Sequence, residues 1–284
     1  MIQAIPLKLD GVPMRSHSIV GLYELRDKIA CIHFAFGFVS PEEYTKDKRM
    51  PSYVLLDAFS ADFTEHNQSY LAYHECKTFS AFDAVFYQKD GSFFLNTKRY
   101  QGFSDSIAKI LEVRDTKLLE AGNAPAPVKQ IYNDSKTYTF GDYAVRMASQ
   151  FIMECRSHTS GEIVWKLKLS AYLYTEIDER NGILYFGTAG NGGRFYGVSL
   201  ADGSIVFNYN TGGTVRFVWY KNNPLLADRK DRPVLLNPED GSEIRQIDCG
   251  KFKFTSDQHM IVKSDRLYAI VNDTKAMYAM CVDL

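Results

Sequence analysis

Apolar and polar residues alternate with a period of two through most of the chain, in short runs broken by turn residues, the pattern of half-buried strands. Residues 182–187 (Gly-Ile-Leu-Tyr-Phe-Gly) read as a buried strand, 194–200 as the next and 204–209 as the last of a set that 172–177 would open. Three stretches repeat one shape, an apolar strand, a turn with glycine and a second alternating strand: Ser160-Gly161-Glu162-Ile163-Val164-Trp165, Asp202-Gly203-Ser204-Ile205-Val206-Phe207 and Asp240-Gly241-Ser242-Glu243-Ile244. Asp-Gly between alternating runs is a hairpin signal, because the turn needs a positive φ that glycine adopts without strain.

Gly161, Gly203 and Gly241 recur at spacings of 42 and 38 residues. A period near 40 is what a four-stranded propeller blade requires. The expected architecture is therefore all-β: one closed β-propeller over residues 1–284, with blades at about 128–169, 170–210, 211–249 and 250–284. The last blade lacks its outermost strand, and residues 4–9 resemble Glu162-Ile163-Val164-Trp165-Lys166-Leu167 closely enough to supply it. Pro6 suits that role, since an outer strand tolerates a missing N–H. Before residue 128, strands at 18–38, 52–60 and 70–74 suggest one long blade, and 83–99 with 107–113 a second. The count is six, or seven if residues 10–127 hold three. The helix-like run 104–120 is a candidate insertion, and 121–127 a connection between blades.

The residues of the best repeat resemble the pyrroloquinoline-quinone-type (PQQ-like) repeat. Leu184-Tyr185-Phe186-Gly187-Thr188, then Phe195-Tyr196-Gly197-Val198, then Asp202-Gly203-Ser204-Ile205-Val206-Phe207 follow the family's order of aromatic-Gly-Thr, Tyr-Ala-Leu-like strand and turn glycine before a strand ending in Trp. Trp165 holds that last position in a second copy, and 265–280 forms a weaker third. The resemblance implies a propeller. It does not extend to the quinone: the dehydrogenases of this class are about twice as long and carry calcium ligands and a vicinal Cys-Cys pair, and this sequence has neither that length nor any Cys-Cys.

Composition adds to this picture. Aromatics reach 14%, which suits pleated surfaces. A net charge of −1 offers no long-range field for a polyanion, so nucleic acid is not an expected partner. No signal-like start or spanning apolar run is present, and the five widely spaced cysteines suit a reducing compartment, so the expected location is the cytoplasm of a bacterial-type cell and no membrane partner is expected.

Motifs for chemistry are sparse. Residues 187–194 are Gly-rich, but Gly193-Arg194 lead into a strand rather than the helix a phosphate loop needs. Cys31-Ile32-His33 and His74-Glu75-Cys76 place pairs of ligand types on one strand face, too few for zinc. Neither a metal nor a cofactor is expected. There is no nucleophile elbow, and paired acids such as Glu239-Asp240 sit where turns use them.

Strand alternation puts the second-to-third connections of the blades on the face opposite the Asp-Gly turns. That face gathers Lys46, Lys48 and Arg49; Asn191 and Arg194; and Asp228, Arg229, Lys230 and Arg232. Charged loops on a stiff scaffold suit recognition of a protein partner. The expected function is non-enzymatic binding, of a scaffold or toxin-neutralising kind. The alternative is an enzyme acting on a carbohydrate or other small substrate in the central funnel, whose two carboxylates would come from different blades.

Overall fold

The computed structural model describes residues 1–8, 14–37, 50–76, 82–89, 92–101, 105–114, 116–120, 136–190, 192–213, 215–227, 232–254, 259–273 and 276–284. Among them there is no helix, and all regular structure is antiparallel β-sheet. The chain divides into two compact units, one made chiefly of residues 3–128 and the other chiefly of 129–275.

The first strand, β1 (Ile2–Pro6), pairs at the other end of the chain. The first unit then holds two four-stranded meanders. One runs β2 (Met14–Leu25), β3 (Lys28–Gly37), β4 (Met50–Ser60) and β5 (His66–Cys76). The other runs β6 (Phe82–Lys89), β7 (Ser92–Gln101), β8 (Asp105–Arg114) and β9 (Lys117–Glu120). Two sequence expectations change here. Residues 18–38 divide into two strands, turning at Arg26, which takes φ 56°. The stretch 107–113 is a strand as expected, within β8, and the alternative of a helix-like insertion over 104–120 gives way to β8 and β9, with Leu111 paired to Glu120 and Val113 to Leu118. Val113 and Leu118 are buried together, so the burial of a strand face overrides helical propensity.

The second unit repeats one plan three times. Its sheets are β10 (Thr137–Phe140) to β13 (Ile163–Lys168) through β11 (Tyr143–Ser149) and β12 (Ile152–Ser157); β14 (Asp178–Arg180) to β17 (Ile205–Asn210) through β15 (Ile183–Gly187) and β16 (Arg194–Ser199); and β18 (Arg216–Tyr220) to β21 (Glu243–Gln246) through β19 (Asn223–Ala227) and β20 (Val234–Leu236). In all three the register slips by one residue between the third and fourth strands, at Cys155/Arg156, Gly197/Val198 and Leu235/Leu236. Trp165, Phe207 and Arg245 therefore occupy equivalent places, opposite Cys155, Gly197 and Leu235. Such a bulge increases strand twist, and its recurrence marks these sheets as copies of one unit.

Alternation decides which way each side chain packs. Leu184 and Phe186 of β15, with Tyr196 and Val198 of β16, meet Val145, Met153, Cys155 and Trp165 of the preceding sheet. Tyr185 and Phe195 point the other way, towards Val215, Leu226, Val234 and Leu236. In the first two of these sheets the aromatic of the outer strand reaches under the turn of the next sheet. Trp165 donates its indole N–H to the Leu200 carbonyl at 2.8 Å, and a Cβ on Gly203 would lie 2.7 Å from its ring. Phe207 lies under Gly241 in the same way, at 2.4 Å. These glycines are required twice over, by positive φ and by the ring above them.

The last sheet is ordered β1-β25-β24-β22, with β22 (Lys253–Phe254), β24 (Arg266–Asn272) and β25 (Met277–Asp283); β23 (Met260–Lys263) also pairs β24. The Leu7 N–H donates to the Met277 carbonyl at 2.9 Å, and Leu7 is buried. The strand expected at residues 4–9 thus does pair with the C-terminal strand, starting two residues earlier.

One further expectation is corrected. The run 172–177 does not open its sheet; β14 begins at Asp178. Tyr174 and Thr175 both donate their N–H to the Gly187 carbonyl, and the Thr175 hydroxyl accepts the Gly187 N–H at 2.7 Å. That local pinning takes the segment out of ladder geometry and makes it a wall.

Candidate functional site

In the second unit the connections sort to two ends of the sheets. One end carries the glycine turns 160–161, 202–203 and 240–241 and the turns 181–182 and 221–222, whose consecutive positive φ values suit tight hairpins. The other end carries the connections between second and third strands and those between sheets. There the Thr211 hydroxyl donates to the Gly193 carbonyl at 2.9 Å and the Ser170 hydroxyl to the Gly192 carbonyl at 3.0 Å. Buried Thr188 closes the 188–194 connection, its N–H bonded to the Arg194 carbonyl and its hydroxyl accepting the Arg194 N–H.

A cleft of about 690 Å³ opens between the first strands of the last two of these sheets, lined by Tyr174, Glu176 and Asp178 on one side and Arg216, Phe217 and Trp219 on the other. Its mouth belongs to the end with the inter-sheet connections, because Arg216 pairs with Ala227 at the start of the 228–233 connection and Leu173 bridges to Thr188. Gly187 allows the close approach: a Cβ there would meet Val215 at 2.7 Å.

Each charged group of the cleft has a defined neighbour. The Arg180 guanidinium lies 3.6 Å above the Trp219 ring and holds Asp178 at 3.4 Å, while the Trp219 indole N–H donates to the same carboxylate. Tyr185 meets the Trp219 ring edge-on at 5.0 Å. Glu176 pairs with Lys136. Burial works to raise the Glu176 carboxyl, but the Lys136 ammonium outweighs it and holds the group below the usual carboxylate range. At the mouth the Arg216 guanidinium lies 5.3 Å from the Tyr174 ring centre and donates to its hydroxyl at 3.4 Å.

A second polar cluster lies in the first unit. Asp57, fully buried on β4, accepts from His33 Nε2 and His66 Nε2 at 2.6 Å each and from Gln68 Nε2 at 2.9 Å. Burial alone would push its carboxyl up, yet the hydrogen bonds, led by His33 and then His66, bring it down to about 2. The expected face-sharing of Cys31 and His33 holds, since their β4 partners are Asp57 and Leu55. Cys31 is buried beside this carboxylate, and burial first, then Asp57, pushes its thiol well up. No group of three ligand-type side chains suited to a metal occurs among the described residues.

Of the residues nominated from sequence, Arg194 and Arg232 are described, and both sit at the inter-sheet end. Arg194 opens β16 and donates to Asn208 Oδ1 at 2.7 Å, so its head lies along its own sheet; Arg232 is exposed just before β20. Lys46, Lys48, Arg49, Asn191, Asp228, Arg229 and Lys230 lie outside the described residues. Sequence reasoning missed Tyr174, Arg180, Arg216 and Trp219. The available signal was a pair of arginines at the ends of aromatic-rich strands, Arg180 before Ile-Leu-Tyr-Phe and Arg216 before Phe-Val-Trp-Tyr.

No protein-family model and no curated protein matches the sequence. Among solved structures, the computationally designed Ika8 protein aligns over 95% of this chain and 98% of its own, with 7% identity and a TM-score of 0.42. BamB from Moraxella catarrhalis aligns over 95% and 99%, with 10% identity and a TM-score of 0.41. A quinohemoprotein alcohol dehydrogenase from Pseudomonas putida HK5 aligns over 62% of this chain and 37% of its own, with 11% identity and a TM-score of 0.37.

Proposed function

We propose that the chain is a cofactor-free, PQQ-like repeat propeller of six blades, closed by β1, that binds a protein partner without catalysing a reaction. The observation that carries the reading is the convergence, at one end of the sheets of the second unit, of Arg194, Arg232 and the cleft mouth at Arg216 and Tyr174. Rigid sheets presenting arginine beside aromatic rings suit a recognition surface. The carbohydrate-enzyme alternative needs a carboxyl held protonated as general acid. In this cleft Glu176 is shifted the opposite way, and Asp178 already accepts from Trp219 and Arg180. A reducing, cytoplasmic setting fits the four buried thiols Cys31, Cys155, Cys249 and Cys281.

The test compares the two ends. Arg194→Glu with Arg232→Glu should leave the melt nearly unchanged and weaken capture of the partner recovered with wild-type protein, by about 1 kcal/mol or more for a true anchor. Glu162→Lys with Glu243→Lys, near the glycine turns, should leave capture intact. The reverse pattern would move the surface to the other end, and no effect from either set would remove it from both.

A further inference from the structure

We propose that the cleft holds a neutral saccharide, gripped through two neighbouring hydroxyls by Asp178 and Arg180 beside the Trp219 ring. This goes beyond the partner-binding reading and does not depend on it.

What points to a ligand is the way Asp178 and Arg180 hold each other. The Trp219 indole N–H and the Arg180 Nε both donate to one oxygen of Asp178, Oδ2. The other, Oδ1, accepts nothing among the described residues, although the side chain lines the cleft and is 44% exposed. On Arg180 only Nε is engaged; its two Nη groups make no hydrogen bond among the described residues. An unused acceptor therefore stands beside unused donors. Both are held in place, Asp178 by the indole N–H and Arg180 by the Trp219 ring 3.6 Å below it, so little freedom is lost when a ligand binds.

That pairing selects a class of ligand. A carboxylate takes hydroxyl protons, and a guanidinium gives N–H groups to hydroxyl oxygens. Two neighbouring hydroxyls satisfy both, one donating to Asp178 Oδ1 and the other accepting from Arg180 Nη. An anion seated on Arg180 would lie against Asp178, and a cation seated on Asp178 against Arg180, whereas a neutral ligand meets neither repulsion. The remaining walls suit the apolar face of a sugar ring. Phe217 stands at 84° to Trp219 with 5.9 Å between ring centres, so the two rings form a corner for C–H groups. The cleft volume, about 690 Å³, lies within the roughly 300–1,000 Å³ of small-molecule sites.

The chain has two tryptophans, Trp165 and Trp219, so a full-length Trp165→Phe chain reports on the cleft alone. Titration with maltose, cellobiose and lactose, followed by tryptophan emission, should give a saturable change with at least one of them. Triethylene glycol at the same concentration, which has no neighbouring hydroxyls, should give none. Arg180→Lys keeps the charge and loses the fork, and Asp178→Asn exchanges the carboxylate for an amide. Each should weaken binding at least about threefold, on the scale of one hydrogen bond. Melting curves establish that the variants are folded, and if Asp178→Asn melts early, Arg180→Lys decides alone. Lys221→Gln, at the opposite end of the sheets, should change nothing. No saturable response to any of the three sugars, an equal response to triethylene glycol, or binding indifferent to Arg180→Lys overturns the saccharide site. Each of these results leaves the partner-binding reading standing, since that is decided by partner capture with the Arg194 and Arg232 variants.

Discussion

Three glycines at equivalent turns provide an internal experiment on what holds consecutive sheets together. Gly161, Gly203 and Gly241 have nearly the same backbone, at φ 74°, 73° and 70°. What stands above them differs. Among the described residues nothing lies within 4 Å of a Cβ built on Gly161, whereas on Gly203 it would meet Trp165 ring atoms at 2.7 Å and on Gly241 the Phe207 ring at 2.4 Å. Substitution by alanine imposes the same left-handed penalty at each site, about 1 kcal/mol. The accompanying loss of unfolded-state freedom is common to all three and cancels in the comparison. At Gly203 and Gly241 the methyl must also displace a packed ring that has nowhere to go, which adds about 1–3 kcal/mol. Gly161→Ala should therefore cost about 1 kcal/mol, and the other two about 2–4 kcal/mol. Urea denaturation followed by circular dichroism measures the differences as midpoint shifts at constant slope. Trp165→Phe should recover part of the Gly203→Ala loss, since Phe207 shows that a phenyl ring fits this place. Equal losses at Gly161 and Gly203, or strict additivity of Gly203→Ala with Trp165→Phe, would refute the claim that ring-under-turn packing joins the sheets.

Two further outcomes concern the first unit and the last sheet. Asp57 is held at about 2 in the folded protein against 3.8 ordinarily, so it contributes stability that is present above pH 3.8 and lost as pH falls through 2, about 2 kcal/mol in all; Asp57→Asn should flatten this part of the urea-midpoint profile between pH 4 and 2, and an unaltered profile would count against the buried carboxylate. Deleting residues 1–8 uncovers the edge of β25 and removes buried Leu7, so a lower melting temperature and concentration-dependent aggregation by light scattering are expected, and an unchanged melt would show that β1 is dispensable.

The readable parts of the fold were those written in neighbouring residues. Asp202-Gly203 and Asp240-Gly241 announce their turns because a positive φ leaves a local mark, and Tyr185-Phe186 and Phe195-Tyr196 announce strands by alternation. Residues 172–177 misled because Tyr174 and Thr175 look like strand but answer to one carbonyl, that of Gly187, a dozen residues on. The 104–120 run admitted two readings because Ile-Ala-Lys-Ile-Leu-Glu-Val fits a helix as well as a strand, and only the partners of Val113 and Leu118 decide for the strand. The Asp57 cluster joins residues 24, 9 and 11 positions apart, a spacing no motif encodes. Its one trace was a charge set within Val54-Leu55-Leu56-Asp57-Ala58-Phe59. The cleft escaped for a similar reason: Trp219 and Asp178 meet across two sheets, 41 residues apart.

The same distances set an order of events. Trp165 finds Leu200 across 35 residues, and Phe207 meets Gly241 across 34, so each sheet of the second unit can be secured as soon as the next has been synthesised. Such short loops close quickly. The pairing of Leu7 with Met277 is of another kind, since it joins strands at distant points of the sequence. Until β25 has been made β1 lacks that partner, and the β25 edge must then find it before it finds a neighbouring chain. The interval before that pairing is when these strands are most exposed to misassembly, and shortening it by a linker that joins Asp283 directly to Met1 in a permuted chain should raise the yield of refolded monomer.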